Sequence, residues 1–257
     1  MIELRDIRLS FGQRTLIDSA SATLRCGTIT ALLGRNGTGK STLLRAMASL
    51  GDVQRGEIRV DGRPLRKMNA AETARRIAFV DTSRIHAENM SARELVAIGR
   101  SPYTDWLGRT GAEDMRIVDE AMTTAGVAGL ADRMVDTLSD GECQRVMIAR
   151  ALAQTTPVIL LDEPTAFLDM PNRYELCTLL QRLAHRQGKC IVFSTHDLDI
   201  ALSLCDEIAL IDSPRLHHMP TRQIVGSGYI ERLFSSPYVR FDAATQSITL
   251  TETAAEW

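Results

Sequence analysis

Eight consecutive residues, Gly34-Arg35-Asn36-Gly37-Thr38-Gly39-Lys40-Ser41, hold the most specific chemical pattern in the chain. The glycines let successive backbone N–H groups converge on one anion, and a helix starting at the end of the loop adds its positive pole. Lys40 supplies a point charge suited to β- and γ-phosphate oxygens, and Ser41 a hydroxyl for magnesium. With only three lysines in the chain, a chance match at all the fixed positions is expected roughly once in several hundred such chains. Taken alone, the loop specifies nucleotide phosphates and would suit a GTPase or a small kinase equally well.

A second constellation is Val158-Ile159-Leu160-Leu161-Asp162-Glu163, which sets two carboxylates at the carboxyl end of an apolar strand. Ligands gather at that edge in open α/β sheets. Asp162 suits the shell of a magnesium ion, since hard cations take carboxylate oxygens directly or through water. Glu163 can act on an attacking water as general base or by orienting it. Either acid could instead cap a helix or stand solvated before Pro164-Thr165, but a phosphate loop in the same chain makes that the minority reading.

The elements that must carry these residues are legible from pattern. Thr28 to Leu33 reads as a buried strand feeding the glycine loop, and a helix follows from Ser41 to about Leu50, stopped by Gly51. Gly56 to Asp61 and Arg76 to Val80 read as further strands. From about Ser91 to Ala153 the pattern turns helical, with Met115, Val118, Met122 and Ala125 on one face and Gly126 as a stop. Strand character returns at Val158–Leu161 and at Cys190–Ser194, on either side of a helix around Arg173 to Ala184. That alternation predicts an α/β fold with a mainly parallel sheet. The last segment, about Pro220 to Trp257, is the least readable.

At 257 residues and 44% hydrophobic, the chain has room for one sizeable α/β domain with an insert and is short for two nucleotide-binding units. Its 30 basic and 32 acidic residues leave a formal charge of -2, so no global field draws it to nucleic acid or anionic lipid. Cys26, Cys143, Cys177, Cys190 and Cys205 lack paired metal-ligand spacing and read as reduced, buried thiols of a cytosolic protein. Neither a signal peptide nor an apolar run long enough to span a bilayer is visible. Any service to a membrane would go through a partner. His217-His218-Met219 does not read as a metal site, because neighbours on a strand point to opposite faces and no third ligand accompanies them.

Between the two constellations stands Leu138-Ser139-Asp140-Gly141-Glu142-Cys143-Gln144-Arg145-Val146. It resembles the signature sequence of ABC ATPases, usually LSGGQ followed by QR and an apolar run. The local physics agrees, since Ser139 and Glu142 form a capping box at a helix N-terminus suited to an anion. The resemblance covers about residues 2 to 230. It implies the ABC ATPase fold: a P-loop NTPase core, an N-terminal antiparallel β subdomain and an inserted helical signature subdomain over about 84–153. On this reading residues 1–230 form the ATPase domain and 231–257 an extension packed on the core.

The same resemblance implies roles for residues. ATP would be bound by Gly34, Arg35, Asn36, Gly37, Thr38, Gly39, Lys40, Ser41 and Thr42, with Phe11 against the adenine and Arg14 as a neighbouring candidate. A core position is the alternative for Phe11. Glu163 and His196 would be catalytic, His196 as the switch histidine of Thr195-His196-Asp197, and Ser41 and Asp162 would hold Mg2+. Asp169, in Ala166-Phe167-Leu168-Asp169, would lie at a dimer interface as the D-loop acid. Ser139 and Gly141 would complete the ATP site of a second copy. The sequence departs from the family twice. Asp81-Thr82 stands where Pro-Gln is usual, leaving Thr82 as the candidate for the metal-side position, and SDGE replaces SGGQ, with Asp140 and Glu142 expected to face away from the anion.

The stretch Gly99 to Gly108, taken with the signature and D-loop segments, resembles ATPases of bacterial importers for iron chelates, haem or cobalamin. That implies a homodimer under two transmembrane permease subunits at the cytoplasmic face of the membrane, with a separate extracytoplasmic binding protein and no nucleic acid. Tyr103 and Trp106 are candidates for the permease contact, with packing inside the insert as the alternative. A non-transport ABC ATPase acting in DNA repair or translation is the competing class, and would ordinarily show a tandem pair, a coiled-coil insertion or a basic tract. A regulatory module without turnover would lack Glu163 or His196.

Overall fold

The computed structural model describes residues 1–83, 87–104 and 108–251. The chain opens with strands β1 (Ile2–Phe11), β2 (Arg14–Leu24) and β3 (Ile29–Leu33), then helix α1 (Lys40–Met47). Strands β4 (Arg55–Val60) and β5 (Arg63–Pro64), helix α2 (Ala70–Ala74) and strand β6 (Ile77–Val80) follow. A helical run comes next, with α3 (Ala92–Ala97), α4 (Ala112–Thr124) and α5 (Asp140–Ala153). Then β7 (Val158–Leu161), α6 (Met170–Gln187), β8 (Cys190–Thr195), α7 (Leu198–Leu204) and β9 (Glu207–Asp212) alternate. The described chain closes with β10 (Arg215–Pro220), α8 (Thr221–Gly226), α9 (Tyr229–Phe234), β11 (Val239–Asp242) and β12 (Ser247–Leu250).

The central sheet runs β10-β9-β3-β8-β7-β6, parallel throughout except for β10, which pairs antiparallel with β9. Its parallel strands are apolar on both faces because both faces are covered. Side chains divide by parity: Ala31, Ile159, Leu161, Ile191 and Phe193 enter one core, Leu32, Leu160, Val192 and Ile211 the other. The second core lies beneath α1 and a separate antiparallel sheet ordered β2-β1-β4-β5. The first also takes in Leu95, Val118, Met122, Val146 and Ile148, so the helical run is welded to the sheet by shared burial. Because β3, β7 and β8 are parallel, the loops that follow them leave the same edge.

Several boundaries differ from the pattern-based reading for identifiable reasons. Helix α1 ends at Met47 without using Gly51. Ser49 adopts φ 62°, and the Leu50 amide donates to the Arg45 carbonyl at 2.8 Å, a helix-ending motif built on a serine. Helix α6 starts three residues before the expected Arg173, at Met170, because the Asp169 carboxylate caps the Asn172 amide at 3.1 Å and Pro171 fits the first turn. Cys26 is exposed and accepts from the N-terminal ammonium, whereas the other cysteines are buried as expected. Burial pushes the Cys177 and Cys190 thiols up to about 12, which makes them unreactive apolar filling. In the C-terminal segment, His217 stacks on Tyr229 and His218 meets Glu207 at 3.0 Å, so the two rings serve opposite sides of β10. Ile224, Ile230 and Phe241 reach the same core as the helical run. Among the described residues, no helix is long and apolar enough to cross a membrane.

Within the helical run, one buried cation and one close backbone approach tie the segment after α3 to α4 and α5. Arg100 donates to Asp114 and to the Ala153 carbonyl, each at 2.8 Å, and its guanidinium lies 4.1 Å from the Tyr103 ring centre. Gly99 packs directly on α5, where a Cβ would come within 2.3 Å of the Arg150 carbonyl oxygen. Gly99→Ala is therefore expected to cost about 2–3 kcal/mol, because backbone must shift to relieve the overlap. A fall in the urea midpoint at unchanged slope checks it.

Candidate active site

The glycine loop lies between β3 and α1, as strand, turn and helix N-terminus require. Gly39 turns the chain into α1 at φ 104°, and a Cβ there would press on Leu16 at 3.0 Å, so both conformation and space exclude a side chain. Lys40 is buried, its Nζ donating to the Gly34 carbonyl at 2.9 Å and standing 3.9 Å from Glu163 Oε1. Burial lowers the pKa of this ammonium, and the Glu163 and Asp162 carboxylates oppose that pull. The Thr38 hydroxyl donates to the Arg35 carbonyl at 2.8 Å and holds the loop closed on itself.

The acid pair follows β7. Asp162 is 3% exposed; its amide continues the ladder by donating to the Val80 carbonyl at 2.9 Å, and its Oδ1 accepts from the Ser194 hydroxyl at 2.6 Å. Glu163 breaks out of the strand at φ 43°. Few non-glycine residues adopt that region, and here it swings the carboxylate towards the glycine loop. On its other side the Glu163 Oε1 lies 3.7 Å from His196 Nδ1. His196 follows β8 directly and its side chain is 61% exposed, while Asp197 caps α7 through the Ile200 amide at 3.2 Å.

Lys40 and Glu163 face a cleft of about 540 Å³ lined also by Phe11, Arg14, Leu16, Asn36, Gly37, Gly39, Ser41 and Thr42; Asp162 and His196 are not among its lining residues. That volume suits a nucleotide-sized ligand. Phe11 is 76% exposed at the end of β1, free to cover a flat ring and far from the core position weighed as its alternative. Ser41 and Asp162 offer a hydroxyl and a carboxylate, the hard oxygen donors magnesium takes alongside phosphate oxygens and water, so the donor set fits that ion.

Other expected residues lie apart from this cleft. The Thr82 hydroxyl donates to the Asp162 carbonyl at 2.9 Å and packs on the back of the acid pair, while neighbouring Asp81 pairs with Arg45 of α1. Ser139 caps α5 within a capping box, with Glu142 Oε2 accepting from the Ser139 amide at 2.8 Å. Glu142 also meets Arg133 at 3.0 Å, and these contacts, the Ser139 amide first, lower its carboxyl pKa. Its charge is thus engaged inside its own chain. Gly141 abuts Leu168, just before the cap residue Asp169. Neither Ser139 nor Gly141 is among the residues lining the Lys40 cleft. The Tyr103 hydroxyl donates to the Gln154 carbonyl at 3.1 Å, tying the residue into the insert although its surface is partly open; Trp106 lies outside the described residues.

Ser194 was not expected. It is fully buried where β8 turns polar at Ser194-Thr195, and that change just before His196 is the only signal the sequence offers.

Comparison with known proteins accords with this geometry. The model of the ABC transporter family matches residues 17–166, more than half of the chain. The petrobactin import ATP-binding protein FpuC of Bacillus anthracis is 35% identical over 218 residues, covering 85% of this chain and 80% of its own. A solved metal-chelate type ABC transporter in an inward-facing conformation superposes with a TM-score of 0.83 at 26% identity, over 98% of both chains. A dimeric ABC transporter cassette superposes with a TM-score of 0.75 at 26% identity, covering 86% of this chain and 99% of its own. With its glycine loop, acid pair and capped signature helix on one such fold, the chain belongs to the ABC transporter family as an ATP-hydrolysing, ATP-binding subunit.

Proposed function

We propose that the chain is the motor subunit of an importer for an iron chelate, haem or cobalamin, working as a homodimer beneath two permease subunits at the cytoplasmic face of the membrane. The observation that carries the catalytic part is the placement of Glu163 Oε1 3.9 Å from Lys40 Nζ and 3.7 Å from His196 Nδ1. ATP enters the Phe11–Arg14 side of the cleft with its phosphates in the Gly34–Thr42 loop. Lys40 balances negative charge on the β- and γ-phosphates. Ser41 and Asp162 would hold Mg2+, which would supply further charge neutralisation there; Thr82 would bear on that ion only through the Asp162 carbonyl it binds.

Glu163 takes or orients the proton of a water that attacks the γ-phosphorus. The new P–O bond forms as the bond to the β,γ-bridging oxygen breaks, and ADP leaves with the electron pair. His196 holds the γ-phosphate side of the site. Ser139 and Gly141 of a second copy complete it, and Asp169 lies along that dimer contact. Removal of the γ-phosphate withdraws contacts that favour the closed pair, so opening follows hydrolysis.

The domain division that goes with this reading is an ATPase domain over 1–230, with its helical insert over about 84–153, and an extension over 231–257. Burial of Ile230 and Phe241 in one core supports the packing of that extension. Transport is favoured over DNA repair or translation by the near balance of 30 basic and 32 acidic residues and by an import protein among the relatives. The cargo class rests on the importer-like Gly99–Gly108 stretch together with the metal-chelate and petrobactin likenesses. Tyr103 and Trp106 are proposed to meet the permease.

Co-purification from membranes tests the assembly. The chain should be recovered with a multi-spanning permease, and the reconstituted complex should hydrolyse ATP several-fold faster when one loaded binding protein is added. Recovery with DNA or ribosomes and no membrane partner would overturn the transport reading.

A further inference from the structure

We propose that Ser194 is a positioning residue that sets both acids of the ATP site, a role resting on the assignment of Asp162 and Glu163 given above. Its single hydroxyl donates to Asp162 Oδ1 at 2.6 Å and accepts from the Glu163 amide at 2.7 Å. The geometry follows from register. Leu161 pairs with Phe193 across β7 and β8, so the next step along both strands brings Asp162 beside Ser194. Ser194 is 0% exposed and Asp162 3%, which keeps water from substituting for the hydroxyl.

Each half of the bridge answers a distinct need. With Oδ1 committed to Ser194, the orientation of the Asp162 carboxylate is fixed, and the other oxygen is left to face a cation. Glu163, at φ 43°, occupies a backbone region that persists only where surrounding contacts over-determine it. The bond from its amide to Ser194 is such a contact, and the Ala166 amide donating to the Glu163 carbonyl at 3.1 Å is another. Thr82 grips the Asp162 carbonyl from β6's end at 2.9 Å, so the peptide joining the two acids is bound on both sides. Ser194 thereby makes the placement of the metal-side carboxylate and the direction of the Glu163 side chain one linked setting. Fully buried and absent from the lining of the cleft, it acts through the two acids.

The test compares wild type with Ser194→Ala and the near-isosteric Ser194→Cys, alongside Glu163→Gln. Loss of a buried charge-assisted hydrogen bond corresponds to about a 10–100-fold fall in kcat for Ser194→Ala, with Ser194→Cys between it and wild type. KM for ATP should stay within about threefold, because the Gly34–Thr42 loop is untouched. Binding of a fluorescent ATP analogue gives the readout that a merely structural role does not move. In EDTA the affinity should match wild type, while the Mg2+ concentration that half-saturates the metal-dependent enhancement should rise about fivefold or more.

Wild-type turnover and Mg2+ dependence in Ser194→Ala, with Glu163→Gln inactive, would sink the positioning role and leave the assignment of the acids standing. Weakened binding in EDTA with an unaltered Mg2+ requirement would overturn it too, as loss of general structure. Full activity in Glu163→Gln would remove the underlying assignment. If Ser194→Ala does not fold, Ser194→Cys carries the same comparison, since its thiol fills the site while donating only weakly.

Discussion

Glu163→Gln is expected to lower ATP turnover by about 10²–10³-fold while leaving ATP bound in a closed dimer. The substitution keeps the length and shape of the side chain and the backbone at φ 43°, so the cleft keeps its form. What disappears is the carboxylate that lies 3.9 Å from the Lys40 ammonium and 3.7 Å from His196 Nδ1. An amide there can still accept a hydrogen bond from water but cannot take its proton. Removing negative charge beside the phosphates also relieves repulsion of the γ-phosphate, so ATP affinity should hold or rise. Steady-state phosphate release measures the first effect, and size-exclusion chromatography with and without ATP the second. A variant that turns over at the wild-type rate would take Glu163 out of the reaction.

Legibility in the sequence follows how local each feature is. The glycine loop and the acid pair were readable because each needs only a short run of residues at the end of an apolar strand, and the chain places both at the edge of the parallel sheet. The strand, helix and strand from β7 to β8 are readable for the same reason, whereas α7 and β9 carry no reading from pattern. Ser194 was not, because its meaning lies in the register of β8 on β7, which no local pattern reports. The end of α1 is not legible from a glycine signal because Ser49 supplies the turn that glycine usually makes. In the helical run, periodicity marked Val118 and Met122, yet α5 is buried almost all round and so has little period to read. The binding of Arg100 to Asp114 and Ala153 joins residues distant in sequence and became visible only in three dimensions. Thr82 stood out as a departure from a family pattern, but its grip on the Asp162 carbonyl depends on the pairing of β6 with β7.

The proposed division of the ATP site between two copies makes the second large prediction. Lys40→Ala should abolish turnover, to below about a hundredth of wild type, because it removes the buried cation proposed to balance the phosphates. Gly141→Asp should be as damaging for a different reason: it adds a third carboxylate to a helix N-terminus that already carries Asp140 and Glu142. The nearest atom to the added Cβ is the flexible end of Leu168 at 3.1 Å, so the chain can still fold. Neither variant is repaired within one chain, since Gly141 does not line the cleft that holds Lys40. Mixed in equal amounts, however, the two should recover activity. A hetero pair sets the intact glycine loop of one chain against the intact Ser139–Gly141 of the other, while its second site carries both defects. Random pairing makes half the dimers mixed, each with one sound site, so recovery should reach about a quarter of wild type. If each chain instead held a complete site, the mixture would be no more active than the two variants assayed apart. Recovery is a gain of function that destabilisation cannot imitate, and it therefore separates a shared site from two damaged proteins.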